Sequence, residues 1–288
     1  MTVLTQLVIV YAFLIPSGID MALENWQLAL LILSTALLTA SGNVINDIHD
    51  VVIDQVNKPE KVIVGKHITE DRAFTIYIIL TIIAVVCGFL LANSIDQPYM
   101  AVVFILVAFL LYLYATTLKS MLLIGNILIS LLVGLVVMIT VVFELYPVIT
   151  PQNRAVQKAF FLILLEFSFF AFVVNILREW VKDCQDMDGD HAGGRKTLPL
   201  AIGRTRTARI ASVFCVGLVI ALGWYIYTYL YKNTIAVYYF TFLIIGPLLY
   251  VASQLWVANK PSQFKRISLV LKLVLLSGIL SISVFYML

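Results

Sequence analysis

"NVINDIHDVVIDQVNKPEK", residues 43–61, closes a long apolar segment with a run of acids. Asp47, Asp50 and Asp54 follow one another at spacings of three and then four, with Glu60 and Glu70 shortly after. On a helix that spacing sets the three carboxylates on one face. Like charges so arranged repel, and something positive has to compensate them. The placement is pointed, because only 12% of the chain's 288 residues are charged.

The rest of the chain is 62% hydrophobic, with a mean hydropathy of +1.01. A soluble domain of this size is about half apolar and about a quarter charged. This chain cannot cover itself with polar surface, so lipid must be its solvent. Backbone polar groups in hydrocarbon have to be satisfied within their own segment, which selects helices. The fold class expected is therefore an all-α polytopic membrane bundle. About twenty apolar residues cross a bilayer, and on that rule nine spans are predicted: 3–19, 26–45, 72–92, 100–118, 121–143, 157–179, 207–230, 235–256 and 267–287. They form a single transmembrane domain over residues 1–288. The opening "MTVLTQLVIVYAFLIP" has no basic region or small-residue cleavage site, so it reads as a first helix rather than a signal peptide. Its abruptness predicts that a few residues precede it. Cys87, Cys184 and Cys215 have no metal-ligand spacing, which argues against a zinc site or a disulfide framework.

Orientation follows from the basic residues. All 19 except Arg154, Lys158 and Lys232 fall on one set of loops and helix ends. The positive-inside rule makes that set cytoplasmic and the N-terminus cytoplasmic with it. The chain is expected in the cell (inner) membrane, with its acidic runs at the cytoplasmic face.

A second acidic run, "NILREWVKDCQDMDGDHAGGRKTLP", covers residues 175–199. Its Asp183, Asp186 and Asp190 repeat Asp47, Asp50 and Asp54 at a constant offset of 136. Each run ends an even-numbered span and is followed by basic residues and a glycine, so the two motif regions, 43–61 and 175–199, read as an internal pseudo-repeat. Magnesium is usually held by a few carboxylates together with substrate phosphates. Two facing acid stripes with lysines and arginines between them therefore suggest a metal-bridged diphosphate site. A solvated helix end accounts for one such run but not for two with matched spacing on one side. A carboxylate-lined cation transporter is the alternative of a different class. It conflicts with the basic residues, which repel a cation and hold a phosphate.

These residues resemble a known family. "NDIHDVVID", residues 46–54, and "DCQDMDGD", residues 183–190, are similar to the first and second aspartate-rich signatures of the UbiA-type intramembrane prenyltransferases. "YATTLKS", residues 114–120, resembles the family's motif between helices four and five, in which a lysine meets the diphosphate. Gly125 and Asn126 follow at about the expected distance. The resemblance covers nearly the whole chain and implies nine helices with both signatures on cytoplasmic loops. Within the family, the second run with its "GGRKTLPLAIG" and the first loop's "NKPEK" are most similar to the archaeal-type digeranylgeranylglyceryl phosphate synthase branch. That branch joins geranylgeranyl diphosphate to geranylgeranylglyceryl phosphate in ether-lipid synthesis. Three departures stand out. Lys61-Val62 replaces the usual arginine-proline pair, Ser120 stands where a second basic residue often follows, and the helix-one arginine and asparagine have no counterpart before Thr5.

The resemblance and the chemistry together assign roles. Asp47, Asp50, Asp54, Asp183, Asp186 and Asp190, with Asn46, are expected to hold Mg²⁺ and to be the catalytic set. Lys58, Lys119, Lys182, Arg195 and Lys196 are expected on diphosphate oxygens. Asn43, His49, Tyr114, Asn175 and Arg178 are assigned to the acceptor side, with His49 or His191 a candidate proton acceptor. Phe169, Phe170 and Phe172 either line the prenyl tunnel or face lipid. The expected partners are a prenyl diphosphate, a glycerol-phosphate lipid acceptor and membrane lipid, with no nucleic acid or protein partner. The runner-up acceptor is an aromatic ring or porphyrin, as in quinone, haem or chlorophyll synthesis.

Overall fold

The computed structural model describes residues 1–285 of the chain. It is helical, and eight helices are long and apolar enough to cross a membrane. In chain order the long helices are α1 (Thr2–Leu14), α2 (Asn25–His49), α3 (Glu70–Ser94), α4 (Pro98–Thr116), α5 (Ile124–Val148), α6 (Arg154–Ala192), α7 (Arg204–Leu230), α8 (Thr234–Val257) and α9 (Pro261–Val284). The exception is α1. Eight α-helical residues and a five-residue π turn rise only about 20 Å. That is less than the hydrocarbon thickness of about 30 Å. Pro16 and the left-handed Gly18, at φ 65°, end it well before residue 19, where the sequence predicts its end.

Local chemistry sets most other ends. A capping box between Glu24 and Gln27 opens α2. Glu70 and Asp71 sit in the first turn of α3, where the helix dipole favours acids. Pro98 and Pro261 start α4 and α9 at a position that needs no amide hydrogen.

Packing in lipid relies on close approach and hydrogen bonds between helices, since lipid tails are as apolar as leucine. Serines supply both. Ser34 donates to the Ala84 carbonyl between α2 and α3 at 2.7 Å, Ser168 to Gly134 between α6 and α5 at 2.9 Å, and Ser212 to Ala252 between α7 and α8 at 2.7 Å. One core cluster joins α2 to α5 through Leu31, Leu91, Phe104 and Phe143. Another joins α6 to α9 through Leu177, Ile244, Leu248 and Phe264. A third, with Ile9, Leu14, Val141 and Leu164, ties α1 between them. The outer surface stays apolar, with Trp224, Phe242 and Phe169 exposed, as a lipid-facing surface requires. Phe169 thus faces outward, whereas Phe170 lines a cavity between helices.

The two acidic runs end their helices differently. The sequence places the sixth span at 157–179, but α6 continues unbroken to Ala192, and at about 1.5 Å per residue it extends well past the apolar span. The second signature is thus helix rather than loop. The first run bends at Asp50, where φ is −96° and ψ 0°, and continues in a short helix, Val51–Asn57. That short helix lies against the end of α6 through Asn57. Its Nδ2 donates to the Asp186 carbonyl at 3.1 Å, and its Oδ1 accepts from the Gly189 amide at 3.1 Å. Only glycine permits this approach, because a Cβ on residue 189 would stand 2.3 Å from Asn57 Nδ2. Gly189→Ala is therefore expected to evict Asn57, break both bonds and lower stability by about 1–3 kcal/mol. Thermal unfolding in detergent reads the change, and an unaltered midpoint would rule out this bracket as a structural constraint.

Candidate active site

The two runs face one cavity of about 250 Å³. Asp47, Asp50 and Asp54 line it from α2 and the short helix, and Asp183, Asp186 and Asp190 line it from α6. Asn46, Lys58, Tyr114, Lys119, Lys182 and Arg195 line it as well. With Glu179 added, seven acidic side chains face four basic ones. Such a basin is short of positive charge.

Asp50 is its most tightly held member. Buried at the bend, it accepts from Lys119 and Arg195, and Asn46 Nδ2 donates to its Oδ2 at 3.0 Å. Lys119 also donates to Asn46 Oδ1, so it is fixed by one acceptor on α2 and one at the bend. Arg195 spans both runs, reaching Asp190 Oδ1 at 3.1 Å with its other terminal nitrogen. Lys58 reaches across to Asp186 at 3.3 Å. A buried ion pair is costly to break from one side, because the remaining charge is left without a partner. Gly125 lets α5 begin against the Lys119 segment, since a Cβ there would stand 2.9 Å from both the Leu118 carbonyl oxygen and Lys119 Cα.

Other members are held loosely or by neutral groups. Asp183 accepts from Asn126 Nδ2 at 2.8 Å. Among the described residues, no hydrogen bond or ion pair holds the Asp47 and Asp54 carboxylates. Burial, and then repulsion from Asp50, raises the Asp54 pKa above the usual carboxylate value. Burial pulls Lys119 down to about 8, against the attraction of Asp50. The Thr197 hydroxyl is buried on the cavity wall without a partner among the described residues.

These observations bear on whether the residues fit a magnesium ion. Among the described residues, no three His, Cys, Asp or Glu side chains converge as a ready-made cage. Magnesium does not need one. It keeps several waters and takes one or two carboxylates plus phosphate oxygens. An all-oxygen donor set, a carboxylate surplus, two unbonded aspartates and an unpartnered hydroxyl match that requirement.

The basin opens inward. Asn46, Tyr114, Glu179 and Lys182 also line an apolar chamber of about 350 Å³ walled by Leu38, Val107, Leu111, Leu132 and Ile139. Glu179 is buried at this throat, forked between Arg178 at 2.9 Å and Lys182 at 3.2 Å. Lys119 lies 5.9 Å from the centre of the Tyr114 ring. Asn43, Asn175 and Arg178 line the chamber beyond the throat.

Two assigned residues lie elsewhere. Lys196 is exposed and outside the basin, because its amide is tied to the Ser120 carbonyl at 3.0 Å while Arg195 turns inward. His49 is exposed at the end of α2 and does not line the basin, since its neighbours Ile48 and Asp50 take the buried directions. His191 is exposed as well. Asn57 and Thr197 carry no expected role in the sequence, and Asn126 only a place in a motif match, although each stands close to a signature and its amide or hydroxyl type was the available signal.

The chain matches the UbiA prenyltransferase family over residues 4–276. A digeranylgeranylglyceryl phosphate synthase of Methanobrevibacter smithii is 32% identical over 243 residues, which is 82% of this chain and 81% of that protein. A solved structure of a digeranylgeranylglyceryl phosphate synthase is similar at TM-score 0.62 and 25% identity, covering 96% of this chain and 92% of the other. A UbiA homolog from Archaeoglobus fulgidus, bound to DMAPP and Mg²⁺, has the same fold at TM-score 0.58 and 17% identity, covering 98% of this chain and 96% of its own. The match extends from the first helix into the last and includes both aspartate runs, and the chain belongs to the UbiA prenyltransferase family.

Proposed function

We propose that this prenyltransferase moves a geranylgeranyl group from its diphosphate to the hydroxyl of geranylgeranylglyceryl phosphate or a similar glycerol-phosphate lipid. The observation that carries the reading is a charged basin, lined by both aspartate runs, that opens through a four-residue throat into an apolar chamber. A diphosphate suits the first space and a polyprenyl tail the second. The relatives named as digeranylgeranylglyceryl phosphate synthases, and the homolog bound to DMAPP and Mg²⁺, support the substrate and the ion. The basic residues gathered on the motif-bearing face favour a cytoplasmic site in the cell membrane.

Asp47, Asp54 and Asp186, joined by Asp50, Asp183, Asp190 and Asn46, would hold Mg²⁺. The ion supplies Lewis-acid neutralisation of the leaving diphosphate. Lys119 and Arg195, with Lys58 and Lys182, bind the diphosphate oxygens and stabilise the charge that grows as the allylic carbon–oxygen bond breaks. The chamber keeps water from the allylic cation. The acceptor hydroxyl oxygen forms the new bond to that carbon and loses its proton. Glu179 lines both spaces at the throat and is placed to take it.

Labelled geranylgeranyl diphosphate, offered with each acceptor class, tests the reading. Product is expected with the glyceryl phosphate. Product with hydroxybenzoate or dihydroxynaphthoate alone would move the chain to an aromatic acceptor, and ion flux without any prenyl diphosphate would favour a transporter. Asp186→Ala or Asp50→Ala is expected to cost on the order of a hundredfold or more in turnover. Unchanged turnover in either would remove the carboxylates from the chemistry.

Lys119 also sets a pH limit. Its pKa is lowered to about 8, so the ammonium is present below that pH and lost as the pH rises through it. The KM for prenyl diphosphate is therefore expected to rise above about pH 8. In Lys119→Arg the rise should disappear, because a guanidinium stays charged. A wild-type KM that is flat across this range would mean that Lys119 does not hold the diphosphate by its charge.

A further inference from the structure

Beside the apolar chamber lies a second cavity, of about 380 Å³, bounded by α1, α2, α5, α6 and α9. The two share Thr39, Asn43, Asn175 and Arg178, so they are contiguous. Their charges differ from those of the basin. Among the described residues, no acidic side chain lines this second cavity, whereas Arg178 and Lys272 both do. Phe167, Phe170, Leu275 and Ile282 make up much of the remaining wall.

Lys272 is the unusual member. It lies six residues beyond Arg266 in α9, about 9 Å further along the helix, and no other charged residue follows it there. Among the described residues it makes no hydrogen bond or ion pair. Its side chain is exposed rather than buried, and a charge within an apolar span is expensive unless it reaches a partner, a ligand or the interface. Arg178 gives its Nη1 to Glu179 at 2.9 Å, but its Nε is buried with no partner. The second oxygen of Glu179 is taken by Lys182. The cavity thus presents an unpartnered Arg178 Nε and an unpartnered Lys272 ammonium. Two such donors suit a phosphate, and the aromatic and aliphatic wall suits a lipid tail.

We propose that this cavity seats the acceptor lipid, with Lys272 and Arg178 holding its phosphate monoester and the tail lying along Phe170 and Ile282. The inference rests on the reading that the chain prenylates a glycerol-phosphate lipid, and it names the residues that select the phosphate. Arg178 lines both cavities and pairs with Glu179 at 2.9 Å, so a phosphate held at Arg178 leaves the nearby glycerol hydroxyl toward the throat where Glu179 stands. Lys272 is a specificity-determining residue that touches the acceptor and not the reacting atoms.

The test compares wild type, Lys272→Met and Lys272→Arg on geranylgeranylglyceryl phosphate and on its dephosphorylated alcohol. For Lys272→Met, the KM for the phosphate is expected to rise roughly tenfold or more, as loss of a charge-assisted hydrogen bond implies. Its kcat at saturation, its KM for the alcohol and its KM for prenyl diphosphate should stay near wild type, and arginine should restore most of the phosphate affinity. An equal KM rise for both acceptors would assign Lys272 to packing, and no rise would mean that it reaches for the membrane surface instead. Either result overturns the proposal while leaving the prenyltransfer reading intact. If wild type makes no product from the glyceryl phosphate, that reading fails, and direct binding of the same lipid to wild type and Lys272→Met decides the cavity separately. Weaker binding to the methionine variant supports the proposal, and equal binding sinks it.

Discussion

The charge imbalance of one small basin governs the architecture. Seven acidic side chains and four basic ones share a cavity of about 250 Å³ at the edge of an apolar bundle. Low-dielectric surroundings magnify both attraction and repulsion. Asp50 takes two of the four bases at once, Lys119 and Arg195, and leaves Asp47 and Asp54 without partners among the described residues. These ion pairs have the character of placeholders. On the proposed function, a diphosphate would offer oxygens to Lys119 and Arg195, and a divalent cation would offer charge to Asp50. Arriving together they would exchange partners with the pairs already there, so that neither the carboxylates nor the bases would be left buried and alone. Arriving singly, each would leave one side uncompensated.

That exchange needs the two runs to be held at a fixed separation, and polar residues between helices do this. Asn57 couples the short helix to α6 through both ends of its amide, and Gly189 provides the space. Asn126 couples α5 to Asp183, and Gly125 sets the start of α5 against the Lys119 backbone. Hydrophobic burial cannot supply this precision in lipid, where an apolar side chain gains little by moving from lipid to protein. Neutral amides cost less to bury than charges and still fix direction.

What the sequence disclosed follows from the same physics. Hydropathy located the long helices because backbone satisfaction leaves no alternative to them, and matched spacing of Asp47, Asp50 and Asp54 with Asp183, Asp186 and Asp190 pointed to paired function. The end of α1 was misplaced because hydropathy continues past Pro16 while the backbone turns at Gly18. The length of α6 was missed because its last three turns are polar, and an apolar-run rule stops where the membrane does. Lys196 and Lys272 show the limit most clearly. Both counted as basic residues of one face, and Lys196 was the better candidate by proximity to a signature. Both are exposed, and only placement separates them: Lys196, its amide bonded to the Ser120 carbonyl, lies outside the basin, while α9 carries Lys272 to a cavity wall.

The contrast between the two neighbouring spaces also bears on how a membrane enzyme tells its substrates apart. Polyprenyl tails are chemically alike and differ mainly in length, so an apolar wall discriminates weakly, at about 1–3 kcal/mol per methylene at best. Headgroups differ far more. A diphosphate that arrives with a metal ion matches a basin rich in carboxylates, whereas a lone phosphate monoester does not, because it brings no cation to quiet them. Conversely, a cavity lined by Arg178 and Lys272, with no acid among the described residues, would receive a phosphate directly and give a metal ion no carboxylate. On the proposed reading, opposite charge on adjoining walls would sort two lipids whose tails are nearly identical, beside Glu179, which borders the basin and is paired to Arg178. Selectivity in such a site depends on where the few charges stand, which is why so apolar a chain keeps them clustered.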